Sequence, residues 1–253
     1  MTPLQAELYA LTHRGNPGDI EFYARACHQA ASVLELGVGY GRLLPALSRA
    51  ARSVVGLECA PELLKRARRA LENLPERQRG RVKLTRGSME SFELGRTFER
   101  IVLPYNGLYC LLTQRDLSAC LRCVRRHLVP SGEFLFDVWA ADRFHAQRDP
   151  GAYHDDEAPI LQVRRGSERW DVFEQSDWQP RTQRLNVLYT YLARGRAPVE
   201  IPIAQRYARS QELFALLERH GLELCAAHGG FSGQRFGARA EQLVVRARAF
   251  EKR

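Results

Sequence analysis

Val33-Leu34-Glu35-Leu36-Gly37-Val38-Gly39-Tyr40-Gly41-Arg42 is the stretch on which the reading of this chain turns. Its apolar start reads as a short strand, and Arg42-Leu43-Leu44-Pro45-Ala46-Leu47 continues as a helix, so the glycines fall in a strand-to-helix turn. Glycine reaches positive φ at little cost and has no Cβ, so a ligand can approach bare backbone at such a turn. The stretch therefore reads as a nucleotide-type cradle.

Spacing narrows the ligand. A dinucleotide fingerprint, G-x-G-x-x-G, needs its third glycine where this chain has Arg42. The pattern is G-x-G-x-G instead. Glu35, two residues before the first glycine, would repel a pyrophosphate but could hold a cationic amino-acid moiety, which suits S-adenosylmethionine. A second apolar run, Val54-Val55-Gly56-Leu57, ends in Glu58, twenty-one residues after Gly37. An acid there can accept both hydroxyls of a ribose.

Residues 30–138 resemble the core of the class I S-adenosylmethionine-dependent methyltransferases. Four segments resemble family motifs in the expected order: V-L-E-L-G-V-G-Y-G-R (33–42), V-V-G-L-E-C-A-P-E-L-L (54–64), R-G-S-M-E-S-F (86–92) and F-E-R-I-V-L-P-Y-N (98–106). The resemblance implies an α/β fold, a Rossmann-like doubly wound seven-stranded sheet whose last strand is antiparallel. It also implies S-adenosyl-L-methionine as cofactor and S-adenosyl-L-homocysteine as product. Gly37 and Gly39 would pass the methionine part, Glu58 would hold the ribose, and Met89 would pack on adenine, with Arg42, Cys59, Leu103 and Tyr105 around them. Ser88 departs from the acid common in the family, and Glu90 or a backbone carbonyl is the expected substitute.

Around this core, strand-like runs at 33–36, 53–58, 82–86, 100–104 and 132–138 alternate with helical patterns, which implies a parallel sheet covered on both faces. Asp19 reads as the cap of a helix reaching Ala30, Thr113 to Asp116 as a capping box, and Ser210 as the cap of a helix to His220. After Trp139 the pattern becomes β only, and the alternation of Val187, Tyr189 and Tyr191 marks half-buried antiparallel strands. The expected organisation is a methyltransferase core from 1–145 and 207–253, with 1–30 as a cap over the cofactor. An antiparallel β insertion, 146–206, follows the fifth strand as a lid or a homodimer surface. By resemblance, Tyr9, His13 and Tyr23 of the cap line the cofactor pocket.

Composition narrows the partners. The 253 residues are 45% apolar and 26% charged, ordinary for a globular chain. The net charge of +9 comes mostly from arginines that fall opposite apolar positions on helices. With no RNA-binding module and no aromatic-rich basic repeat, a nucleic-acid partner is not expected. No run approaches the ~18 apolar residues of a membrane span, and no basic-then-apolar leader opens the chain, so the expectation is a cytoplasmic protein without membrane contact. Six cysteines lack the spacing of a disulfide scaffold. Cys120-x-x-Cys123 has no second ligand pair for zinc and sits beside the stripe Leu117, Leu121, Val124 and Leu128, so no metal is expected.

Methyl transfer from a sulfonium is an in-line displacement that depends chiefly on holding donor and acceptor close. Position makes Tyr105, Asn106 and Tyr109, after the fourth strand, the catalytic candidates, with His145 and His154 from the insertion and Arg206 for an acidic group on the acceptor. Phe231 and Phe236, in the glycine-rich loop 229–237, are expected to wall the acceptor pocket. Leu103-Pro104-Tyr105-Asn106 lacks the polar lead residue and second proline of the motif typical of nucleobase amino methyltransferases. The layout resembles the small-molecule N- and O-methyltransferases instead, with a natural product, amino acid or amino sugar as acceptor. Nucleic-acid methylation and non-methylating S-adenosylmethionine binding are the competing readings.

Overall fold

Residues 1–146 and 158–250 are described by a computed structural model. In chain order its first half is α1 (Pro3–Thr12), α2 (Asp19–Ala26), β1 (Val33–Leu36), α3 (Leu44–Ala50), β2 (Val54–Glu58), α4 (Pro61–Glu72), α5 (Glu76–Arg79), β3 (Val82–Arg86), β4 (Phe98–Leu103), a 3-10 turn (Gly107–Cys110), α6 (Gln114–His127) and β5 (Leu128–Trp139). The remainder is α7 (Ala141–Ala146), β6 (Leu161–Arg165), β7 (Glu168–Gln179), β8 (Arg184–Leu192), β9 (Val199–Arg206), α8 (Ser210–Arg219), β10 (Leu222–His228) and β11 (Gln242–Ala249).

The main sheet is Rossmann-like, seven strands in the order β3-β2-β1-β4-β5-β11-β10. β1 pairs in parallel with β2 on one side and β4 on the other. β11 runs antiparallel to both its neighbours, as the family resemblance implied. Every residue of β1 and β2 is buried, which is why these strands read as unbroken apolar runs apart from their acids. One face is covered by Leu117, Leu121 and Val124 of α6 with Leu213 and Leu217 of α8, the other by Tyr23, Cys27, Leu43 and Leu47 from the α2 and α3 segments. The chain winds outward in opposite directions from β1 and β4, so a crevice opens beyond their carboxyl ends, where open α/β sheets bind ligands.

The second sheet is an antiparallel meander, β6-β7-β8-β9. Val163, Trp170, Val172, Tyr191 and Ile201 on one face enclose Leu8 of α1. Burying a leucine fully contributes about 1.5–3 kcal/mol. Gln5 Nε2 donates to the Glu200 carbonyl at 2.7 Å, and the Tyr191 hydroxyl to Thr12 Oγ1 at 3.0 Å. The N-terminal helix thus packs with the inserted sheet as well as facing the crevice. Where that sheet rejoins the core, Trp178 Nε1 donates to the Tyr207 hydroxyl (2.9 Å) within a cluster that includes Trp139 and Phe144.

Local details differ from the sequence reading. Asp19 does not cap α2: Gly18 does, at φ +83°, and the Asp19 carboxylate is drawn to Arg42. Ser210 is the first residue of α8 rather than its cap, and its Oγ donates to Asp142 Oδ1 (2.9 Å). Thr113 does cap α6, accepting from the Asp116 amide at 3.1 Å. No helix among the described residues is long and apolar enough to cross a membrane.

Candidate functional site

The crevice at the ends of β1 and β4 deepens into a cavity whose empty space, open solvent at its mouth included, is roughly 910 Å³. Its floor is the glycine turn. Gly37, Gly39 and Gly41 all have positive φ, of 66°, 59° and 90°. They serve different ends. A Cβ on Gly41 would lie 2.9 Å from Leu44 Cδ1 and 3.1 Å from Ala67 Cα, so that glycine lets α4 pack. A Cβ on Gly39 would meet only the Gly37 carbonyl, at 3.8 Å, and otherwise project toward the cavity. The Gly39 amide donates to Glu58 Oε2 at 2.9 Å and the Ala60 amide to Oε1 at 2.8 Å, so one carboxylate pins the turn and the start of α4. The Cys59 thiol also donates to Oε1, at 3.7 Å, so Oε2 is the oxygen that keeps a lone pair for another donor.

Glu35 is 2% exposed, lines the cavity, and its Oε2 has no hydrogen-bond partner. Burial pushes its pKa up to about 8; Arg42 opposes the rise and Glu58 adds to it. A buried carboxyl without a donor is costly unless a ligand supplies one. Arg42 cannot fully supply it, because its guanidinium is committed to Asp19 through a two-pronged salt bridge of 2.8 and 2.7 Å. That bridge fastens the cap to the glycine turn, as does the Tyr40 hydroxyl, donating to the His13 carbonyl at 3.0 Å. Beyond Glu58 the wall is apolar, with Leu57, Leu63 and Met89 beside Gly87 and the exposed Cys59.

Part of the lining is aromatic, with Tyr9, His13 and Tyr105. Tyr9 and His13 stack with ring centroids 4.1 Å apart, Tyr105 makes a T-shaped contact with His13 at 6.3 Å, and Tyr189, which does not itself line the cavity, makes another at 4.9 Å. Burial raises the phenol pKa values of Tyr9, Tyr105 and Tyr189, with nearby acids adding, so these hydroxyls stay protonated at neutral pH. It pushes His13 down to about 4, so that ring stays neutral.

Of the residues proposed from sequence, Tyr9, His13, Glu35, Gly37, Gly39, Arg42, Glu58, Cys59, Met89 and Tyr105 meet at this cavity. Others lie elsewhere. Tyr23 is buried beneath it with its hydroxyl on Asp137 Oδ1 (2.6 Å), and Leu103 packs under Gly107. Ser88 donates to Glu90, and neither lines the cavity. Asn106, at φ +61°, accepts the Trp139 amide at 2.7 Å and so serves the turn. Tyr109 is turned inward by the 3-10 helix, its hydroxyl on the Ala208 carbonyl at 3.0 Å. Arg206 is paired with Glu212 (2.8 Å), away from the cavity. His145 Nδ1 stands 2.9 Å from the Tyr207 hydroxyl, and His154 lies outside the described residues. Phe231 packs on Phe22, and Phe236 on the main core, because the loop after β10 starts with three strands between it and β1.

Two contributors went unread in the sequence. Asp137, fully buried, accepts the Tyr23 hydroxyl and the Tyr105 amide (2.9 Å) on Oδ1 and Asn16 Nδ2 (3.3 Å) on Oδ2. It fastens Tyr105, held at φ +53°, to the cap. An acid inside Phe134-Leu135-Phe136-Asp137-Val138 was its signal. Tyr189 is the other, and only the packing of the inserted sheet brings it to His13.

Comparison with known proteins supports the layout. Residues 33–132 match the family model described as a methyltransferase domain. The chain is 30% identical over 142 residues to the dTDP-3-amino-3,6-dideoxy-α-D-glucopyranose N,N-dimethyltransferase of Streptomyces fradiae, a match covering 53% of this chain and 52% of that protein. A second match, 28% over 111 residues, is to the dTDP-3-amino-3,4,6-trideoxy-α-D-glucopyranose N,N-dimethyltransferase of Streptomyces venezuelae, covering 44% of each. The matched stretches thus span about half the length of these curated relatives. Among solved structures, the CcbJ methyltransferase of Streptomyces caelestis superposes with TM-score 0.82 at 28% identity, covering 97% of this chain and 96% of that one. The SAM-bound amino pentose methyltransferase CalS10 of Micromonospora echinaspora shares the fold at TM-score 0.70 and 22% identity, over 98% and 97% of the two chains.

Proposed function

From the premise that the chain belongs to the class I S-adenosylmethionine-dependent methyltransferases, we propose that it methylates an amino nitrogen of a small molecule, with an amino sugar as the favoured acceptor. The observation that carries the cofactor side is Glu35, a buried carboxylate with an unpartnered oxygen at the floor of a glycine cradle. An α-ammonium group answers that vacancy in hydrogen bonding, a pyrophosphate does not. Glu58 Oε2 has a lone pair left for a ribose hydroxyl, and Leu57, Leu63 and Met89 suit the faces of a base. When bound, S-adenosylmethionine supplies an electrophilic methyl group.

The chemistry of the aromatic wall favours nitrogen over oxygen. An alcohol needs a base to attack efficiently, whereas an amine has a free-base fraction at working pH. Tyr9, Tyr105 and Tyr189 hold their protons, and His13, at about 4, is too weak a base for an alcohol. The residues of this wall therefore position rather than deprotonate. The curated relatives, whose names specify amino-sugar N,N-dimethylation, favour the same acceptor class. The inserted sheet acts as a lid over the acceptor end, since Tyr189 reaches His13.

The test is release of S-adenosylhomocysteine from S-adenosylmethionine with dTDP-3-amino-3,6-dideoxyglucose, beside the same sugar carrying a hydroxyl at that carbon. Turnover with the amine alone is expected. Turnover with the hydroxyl sugar and none with the amine overturns the nitrogen assignment, and turnover with neither overturns the amino-sugar assignment.

A further inference from the structure

His13 carries a polar atom that nothing in the fold uses. Its ring is 8% exposed and lines the cavity, and its Nε2 is buried without a hydrogen-bond partner. The other ring nitrogen decides the state of this one. Nδ1 stands 3.1 Å from the Tyr9 carbonyl oxygen, which can only accept, so Nδ1 carries the proton and Nε2 presents a bare lone pair. The ring is also clamped, stacked on Tyr9 and edged by Tyr189, while its own carbonyl is tied to Tyr40. A fixed, desolvated lone pair on a ring that lines a cavity is a cost to the empty protein, which a ligand donor that reaches it removes.

Resting on the amine reading above, we infer that His13 Nε2 accepts an N–H of the acceptor's amino group, leaving the nitrogen lone pair free to face the methyl donor. No proton moves to the ring. The nitrogen bonds to the methyl carbon as the carbon–sulfur bond breaks onto sulfur. The ammonium formed keeps its N–H on Nε2 until the product leaves and loses the proton to water. The contact needs at least one hydrogen on the nitrogen, so primary and secondary amines are substrates and a neutral tertiary amine is not. Methylation therefore ends at the dimethylamine, short of a quaternary ammonium.

Three readouts test this, and each is separate from whether the wild-type protein binds S-adenosylhomocysteine at all, which tests the cofactor reading. Long-range proton–nitrogen NMR of histidine-labelled protein, with the His13 signal assigned by its loss in His13→Gln, should show Nδ1 protonated and Nε2 bare at pH 7. A proton on Nε2, or an imidazolium, overturns the inference. Calorimetry should find S-adenosylhomocysteine affinity of His13→Ala within about threefold of wild type, whereas a loss beyond tenfold makes His13 a cofactor contact and overturns it. With dTDP-3-amino-3,6-dideoxyglucose, kcat/KM should fall roughly 10- to 100-fold in His13→Ala and recover in part in His13→Gln, whose amide restores an acceptor. Equal activity in all three proteins overturns it.

Discussion

The two walls of the cavity are built differently. The cofactor wall comes from neighbouring chain segments, Glu35 to Arg42 and Leu57 to Leu63, on the ends of adjacent parallel strands. Its working parts are backbone amides, two carboxylates and the absence of Cβ atoms. The aromatic wall, to which the proposed function assigns the acceptor, brings together Tyr9, His13 and Tyr105 with Tyr189 packed on His13, from the N-terminal helix, the β4 turn and the inserted sheet. Its geometry depends on long-range ties, Asp137 to Tyr23 and Asn16, and Arg42 to Asp19. On the proposed function, the local wall takes the cofactor and the assembled wall the acceptor.

Breaking the cofactor wall should have the largest effect. Gly39→Val places a branched side chain at positive φ and into the cavity, so S-adenosylhomocysteine binding by calorimetry should vanish while thermal unfolding remains cooperative. The equivalent break on the acceptor side is Asp137→Ala. It strands the Tyr23 hydroxyl, the Tyr105 amide and the Asn16 amide, and denaturant unfolding should show a loss of at least ~3 kcal/mol. The acceptor KM should rise more than the S-adenosylmethionine KM.

Glu35→Gln sharpens the comparison through pH. With a pKa raised to about 8, Glu35 is protonated in most of the free protein at pH 7. A bound α-ammonium favours the ionised form, so binding releases a proton below pH 8, and affinity should climb with pH until free Glu35 is itself ionised, then level off. Glu35→Gln should weaken binding by roughly tenfold and flatten this dependence. The smallest effect on binding belongs to Arg206→Ala. Its pair with Glu212 lies away from the cavity, so acceptor KM should not move, and the cost should appear in stability alone, about 1–3 kcal/mol for a partly buried guanidinium that also donates to Gln183.

The same contrast explains how far the sequence could be read. The glycine turn, Glu35 and Glu58 were legible because their meaning is local: strand, turn and helix follow within a few residues. The seven-stranded sheet with its antiparallel last strand followed from the alternation of runs and the family resemblance. At the end of β4, sequence offered Tyr105, Asn106 and Tyr109 alike, but paired left-handed residues and a 3-10 turn send only the Tyr105 ring to the cavity. Phe231 and Phe236 were assigned to the right end of the sheet yet lie too many strands from β1. Tyr189 was read as a half-buried strand residue, and nothing in its own neighbourhood could say that β8 would carry it to His13.

The most direct test of the account is titration calorimetry with S-adenosylhomocysteine at pH 6, 7 and 8, each in two buffers of different ionisation enthalpy, with NADH as control. The account predicts micromolar binding of S-adenosylhomocysteine alone, with close to one proton released at pH 7 and almost none in Glu35→Gln. Binding of NADH, no binding of S-adenosylhomocysteine, or binding without proton release would contradict the role given to Glu35 and the glycine turn.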